Sequence, residues 1–147
     1  MPLDLFSKTR LPQKLPVEME EVVNDLKKSF SKEDCLKKVY DILNKKYQGA
    51  RVMTYLRFPA IFKNDINFFW NQNGFLHCTN INYIARILLI KSNFFKEDDI
   101  ILKWTLIWYI SPHQYLRVKV TQNKFINMDV WAKNYGISFG DYAKGFK

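Results

Sequence analysis

The 147-residue sequence predicts an α+β domain in which helices come first and an antiparallel sheet follows. Two observations carry this expectation. Before residue 91, apolar residues recur at helical spacing through three segments; after residue 100, three runs rich in β-branched and aromatic residues are separated by short turn signals. At 48% hydrophobic and 25% charged residues the chain has the length and composition to bury one core.

Residues 1–16 contain Pro2, Pro12 and Pro16 with little periodicity, so they read as an extended arm, lying on the domain or loose in solvent, and 17–147 as a single domain. From Val17 to about Phe30, the residues Met19, Val22, Val23, Leu26 and Phe30 follow helical spacing, and Pro16 suits a helix start. A second helix begins after Ser31, whose hydroxyl can cap it while Asp34 closes a capping box. Its stripe of Cys35, Leu36, Val39, Tyr40, Leu43 and Tyr47 ends near Gly49, and makes Cys35 a small buried hydrophobe. Arg51 to Phe58 reads as a strand or an extended approach, and Ala60 to Asn71 as a short helix or an aromatic-rich loop. Cys78 to about Ile90 forms the central helix, with Ile81, Ile84, Ala85, Leu88 and Leu89 at apolar positions. The strands are Ile100 to Ile110, His113 to Val120 and Lys124 to Val130, divided by Ser111-Pro112 and by Thr121-Gln122-Asn123.

Composition narrows the function. Cys35 and Cys78 form at most one disulfide and show neither a secreted scaffold nor zinc-module spacing, which points to a reduced, cytoplasmic setting. The N-terminus lacks a basic segment followed by an apolar one, and no apolar run approaches the length of a membrane span, so no membrane partner is expected. The net charge of +9 raises the question of a nucleic-acid partner. Yet Lys27-Lys28, Lys37-Lys38 and Lys45-Lys46 sit on helices among Glu and Asp, as solvated helix faces do.

The chemistry-bearing residues are Cys78, His113 and Asp129: a cysteine opening a helix, then a histidine and an aspartate in later strands. A free thiol has a pKa of about 8.5 and attacks only as thiolate, which a helix N-terminus and a nearby imidazolium both favour. His113 would then supply the leaving group's proton, the pair acting as nucleophile and general acid/base. Whether Asp129 can orient His113 depends on the hairpin between their strands. A three-residue loop at Thr121-Gln122-Asn123 pairs Val120 with Lys124 and Tyr115 with Asp129, bringing His113 diagonally beside Asp129, with Asn123 in the left-handed conformation. A two-residue loop puts the two side chains on opposite faces. The three-residue register leaves Leu116, Val118, Val120, Ile126, Met128 and Val130 on the other face, and pattern alone does not choose which face meets the Cys78 helix. His77 adjoins Cys78 but points about 100° away on a helix, so it is not a partner. A metal site from His77, Cys78, His113 and Asp129 is disfavoured by the absence of paired ligand spacing, and no cofactor is implied.

Together, Gly74-Phe75-Leu76-His77-Cys78-Thr79-Asn80, Pro112-His113-Gln114-Tyr115-Leu116-Arg117-Val118 and Phe125-Ile126-Asn127-Met128-Asp129-Val130-Trp131 resemble the transglutaminase-like superfamily of papain-like fold, over roughly Asp41 to Trp131. Its members carry Cys at the start of a buried helix, His opening a strand of the pattern His-small-aromatic-aliphatic-x-Val, and Asp near the end of the next strand. Val130 stands where many members have Pro, and no Gly directly precedes His77-Cys78. The resemblance implies a papain-like core and thiol-dependent acyl transfer on an amide of a protein or peptide. A thioester intermediate would serve a peptidase, a deamidase or a transglutaminase. It also suggests oxyanion donors: the Cys78 N–H, Gln72 at the spacing of an oxyanion-hole glutamine in papain-like proteases, and Trp70 in the role of a transglutaminase tryptophan. Phe68, Phe69, Trp70 and Phe75 either line an acyl cleft or pack in the core. The rival reading is a catalytically inactive module of the same fold whose basic surface holds an acidic protein or nucleic acid. A third is a subunit docked through its N-terminal arm.

Overall fold

A computed structural model describes Asp4 and residues 7–146. It is an α+β fold of helices and a three-stranded antiparallel sheet. Helix α1 (Val17–Leu26) starts on the Pro16 carbonyl, which accepts the N–H groups of Met19 and Glu20. It buries Met19, Val23 and Leu26, then stops short of Phe30 because the next apolar position is not covered. Phe30 is 95% exposed, and its N–H turns to the Asp34 carboxylate at the start of the following helix. Helix α2 (Lys32–Lys46) is capped by the Ser31 hydroxyl, which accepts from the Asp34 N–H at 3.1 Å. The expected reciprocal bond shifts by one residue, since the Asp34 carboxylate accepts from Phe30 and not from Ser31. Cys35 lies in the stripe, fully buried.

A short parallel pair, β1 (Tyr47–Gln48) with β2 (Gly74–Phe75), frames the segment that sequence pattern reads least well. Arg51 to Phe58 is not a strand: α3 (Arg51–Leu56) begins on the Ala50 carbonyl, which accepts from both the N–H and the hydroxyl of Thr54. None of its side chains is buried, so it lacks the apolar periodicity that marks a core helix. A 3-10 turn (Phe58–Phe62) and α4 (Ile66–Trp70), capped by Asp65, follow. Helix α5 (Cys78–Lys91) is central, with every residue from Thr79 to Leu89 buried.

The sheet order is β3 (Ile100–Ile107), β4 (Ser111–Lys119), β5 (Phe125–Met128). Its first turn is Trp108 to Ile110, not Ser111-Pro112. Pro112 stands inside β4, opposite Leu106 and beyond the reach of β5, where a missing N–H is tolerated. The second hairpin has the three-residue register: Leu116 pairs with Met128, and the Val120 N–H donates to the Lys124 carbonyl at 2.9 Å. Asn123 is not left-handed; among the described residues the non-glycine positive φ values belong to Asp4, Asn93, Trp108 and Tyr109.

The face carrying Leu116, Val118, Val120, Ile126, Met128 and Val130 joins the core cluster with α1, α2 and α5. Helix α5 is tied to β4 through Asn82, whose amide donates to the Gln114 carbonyl at 2.9 Å. On the other face Tyr115 is covered by Tyr142, their rings stacked at 4.1 Å. The arm lies on the domain: Leu11 and Leu15 pack against the core, and buried Arg86 of α5 bonds to Asp4 at 2.9 Å and to the Thr9 carbonyl at 2.7 Å. Both cysteines are free, and among the described residues no helix is long and apolar enough to cross a membrane.

Candidate active site

Cys78 is the first residue of α5 and half-buried, following His77 in an extended conformation. Its N–H and that of Thr79 fall in the first helical turn, where backbone donors have no intrahelical acceptor. The imidazole of His77 is engaged elsewhere. It faces the Thr54 carbonyl at 3.1 Å and so ties α3 to the start of α5.

His113 and Asp129 meet as the hairpin register requires. The His113 Nε2 lies 2.8 Å from Asp129 Oδ2, with both side chains 1% exposed. Asp129 is held from three sides, since Oδ1 also accepts from the Ala132 N–H at 3.2 Å and Oδ2 from the Ala143 N–H at 3.0 Å. The strand therefore ends at Met128 and not at Val130: Asp129 turns to cap the backbone, and Val130 already has right-handed helical angles ahead of the turn Trp131–Tyr135. With Nε2 engaged by Asp129, Nδ1 is the nitrogen left for Cys78, which lines the same cavity as His113. Burial acts most strongly on His113 and disfavours its charged form. The hydrogen bonds and charges of Asp129 and Cys78 together outweigh it, and the imidazole is pushed up to about 10.

Trp131 completes the surroundings of the histidine, its ring centroid 5.0 Å from that of His113. Gly49 makes this possible, because a Cβ there would lie 2.3 Å from Trp131 Cδ2. Beside Cys78 and His113 opens a cavity of about 370 Å³. Val52 and Tyr55 of α3 form one wall, and Ile107, Trp108, Ile110 and Pro112 of the first hairpin form the other. The Tyr55 hydroxyl reaches the Ser111 hydroxyl at 3.2 Å.

The structure brings Cys78, His113 and Asp129 together. Trp70 and Gln72 are not among the residues lining the cavity. Trp70 is buried in the core under the Lys46 ammonium, and Gln72 sits in the turn after α4, its N–H on the Phe69 carbonyl. Phe69 also belongs to the core, Phe68 packs against it, and Phe75 meets His77 edge to face. The aromatic residues at the cavity are instead Tyr55, Trp108 and Trp131. Two signals for them exist in the sequence: Trp131 stands two residues after Asp129, and Trp108-Tyr109-Ile110 is an apolar run at a turn, where polar residues are the rule. Among the described residues no cluster of three or more His, Cys, Asp or Glu is placed to hold a metal ion. The arrangement sets a thiol, an imidazole and a carboxylate beside an apolar cavity, the groups that nucleophilic catalysis by cysteine uses. Comparison of the chain with protein-family models, with curated proteins and with solved structures finds no match.

Proposed function

We propose that this protein is a thiol-dependent acyl-transfer enzyme of transglutaminase-like type, with α5 and the sheet as a papain-like core. The observation that carries the reading is the Cys78-His113-Asp129 constellation at the edge of an apolar cavity, with the cysteine at a helix N-terminus. The raised pKa of His113 supports an imidazolium on the wall that carries Cys78, and a cysteine nucleophile is activated by such a neighbour. The thiolate attacks an amide carbonyl, and the N–H groups at the start of α5 receive the developing oxyanion. His113 passes its proton to the departing nitrogen, leaving a thioester on Cys78. Asp129 holds the ring in one orientation and faces its positive charge whenever the imidazole is protonated. Water as acceptor makes a hydrolase acting on peptide or protein amides, and a reducing, cytoplasmic compartment would keep the thiol free. Hydrolysis is preferred over transfer to an amine.

The test is the pH dependence of iodoacetamide labelling, resolved by mass spectrometry, with buried Cys35 as internal reference. Cys78 is expected to label well below pH 8 and at least about tenfold more slowly in His113→Ala, in keeping with the contribution of a positioned acid/base. Labelling with the profile of an ordinary thiol, indifferent to His113, would overturn the reading and leave an inactive binding module.

A further inference from the structure

One wall of the cavity carries a cation that has no ion-pair partner among the described residues. Arg51 is the first residue of α3, and its main-chain N–H is held by the Tyr135 hydroxyl at 3.0 Å. Its guanidinium carbon lies 4.7 Å from the Trp108 ring centroid and 4.2 Å from that of Tyr135. Two aromatic rings thus fix the guanidinium without neutralising it. Among the described residues it has no carboxylate in ion-pair range, and its Nε is buried with no hydrogen-bond partner. The contrast is Arg86, whose fully buried guanidinium is met by both Asp4 and Glu97.

The hairpin tip is shaped to this end. Trp108 and Tyr109 have φ of 54° and 60°, a region that bulky side chains rarely enter. The C-terminal segment holds them there: the Trp108 N–H donates to the Gly145 carbonyl, the Gly145 N–H to the Leu106 carbonyl at 3.2 Å, and Phe146 packs edge-on against Tyr109. That clamp keeps Trp108 on Arg51. Around the guanidinium the cavity is apolar, with Val52, Ile107, Ile110 and Pro112 in its walls. Its volume of about 370 Å³ suits one large side chain with its flanking groups.

We infer that the amide attacked by Cys78 carries a free carboxylate beside a bulky apolar side chain, as in an N-acyl amino acid or the C-terminal residue of a peptide, and that Arg51 binds this carboxylate. The inference rests on the acyl-transfer reading and deepens it. A carboxylate completes the unused donors of Arg51 with charge-assisted bonds while the apolar group fills the walls. The reaction balances with water alone. The Cys78 sulfur bonds to the carbonyl carbon as the C–N bond breaks, and the amino acid leaves with the proton from His113. Water then returns a proton to His113 as its oxygen replaces sulfur, releasing the acid.

Three thiol-directed probes test this: chloroacetyl-L-phenylalanine, its C-terminal amide and chloroacetylglycine. Each rate of Cys78 labelling is divided by its rate with glutathione, with iodoacetamide as a reference in every variant. Chloroacetyl-phenylalanine is expected to label at least about tenfold faster than the other two, the size of one charged hydrogen bond or one buried side chain. Arg51→Gln should erase the preference over the amide and keep that over the glycine compound. Equal rates for acid and amide, or a preference that survives Arg51→Gln, would overturn the inference while His113-dependent labelling left the acyl-transfer reading in place. Binding to Cys78→Ala, followed by tryptophan fluorescence with N-acetyl-phenylalanine and its amide, separates the opposite case. Arg51-dependent preference for the acid without thiol reactivity would uphold the carboxylate site and discard the chemistry.

Discussion

The buried His113-Asp129 pair makes the stability of the molecule depend on pH in a direction that can be worked out. His113 is raised from 6.5 to about 10, so between those values the folded protein holds a proton that the unfolded chain has released. The contribution is complete below about 6.5 and is lost as pH rises through about 10. Urea unfolding of wild type and His113→Gln should therefore show a stability difference that shrinks across this window, and a constant difference would count against a buried imidazolium. His77 acts in the opposite sense: burial lowers its pKa against the pull of the Thr54 carbonyl, so its effect lies on the acid side and weakens stability there. Removing the counterion is more severe. Asp129→Ala strips the buried imidazolium of its carboxylate and leaves the Ala132 and Ala143 N–H groups unpaired, which costs about 3–5 kcal/mol by chemical denaturation. The pairing of His113 with Asp129 was legible in the sequence only as a condition on loop length, because strand parity is a counting rule, and the structure supplies the three-residue register that meets it. The grip of Ala143 on Asp129 was not, since it comes from a segment with no periodic signature.

Helices α2 and α5 announce themselves because they bury a stripe or a whole surface. Helix α3 does not, for it buries nothing, and its side chains serve the cavity and the solvent instead of the core. It is held by a few polar links, among them the Thr54 carbonyl to His77 and the Tyr55 hydroxyl to Ser111. Low burial and few anchors make a segment that opens locally at little cost. Amide exchange should accordingly be fast over residues 51–62 and slow through α5; equal protection of the two would show that α3 is bound more firmly than its contacts suggest. The packing of Trp131 beside His113 tolerates less. At Gly49 any Cβ collides with the ring and carbonyl oxygen of Trp131, so Gly49→Ala is expected to cost about 3 kcal/mol, seen as a lower thermal midpoint, and to slow Cys78 labelling by displacing Trp131 from His113. Glycine at this position reads in the sequence only as a helix terminator, and the tight contact that requires it spans more than eighty residues of chain.

At the scale of the molecule, the α+β order was visible because helices and strands are segregated along the chain, while the closure of the domain includes contacts of the N-terminal arm with α5. The surface ion pairs are of the kind that contributes little: Lys28 with Asp25 and Lys38 with Asp34 neutralise part of the basic charge on solvated helix faces. Arg86 is different. It stands in the middle of α5 with its guanidinium buried, and its partners are Asp4, the Thr9 carbonyl and Glu97, two of them in the N-terminal arm. An arm that looks dispensable by its prolines is therefore the counterion of the central helix. Deleting residues 1–10 should destabilise the protein by about 3 kcal/mol in urea, because the guanidinium loses Asp4 and the Thr9 carbonyl and keeps only the half-exposed Glu97. Deletion combined with Arg86→Met removes the charge as well and should recover much of that loss, since an apolar side chain of similar length suits the surrounding core. A truncated protein as stable as the full chain, or one not rescued by Arg86→Met, would mean that the arm contributes through Leu11 and Leu15 packing or not at all, and that the Arg86-Asp4 pair is incidental to closing the fold.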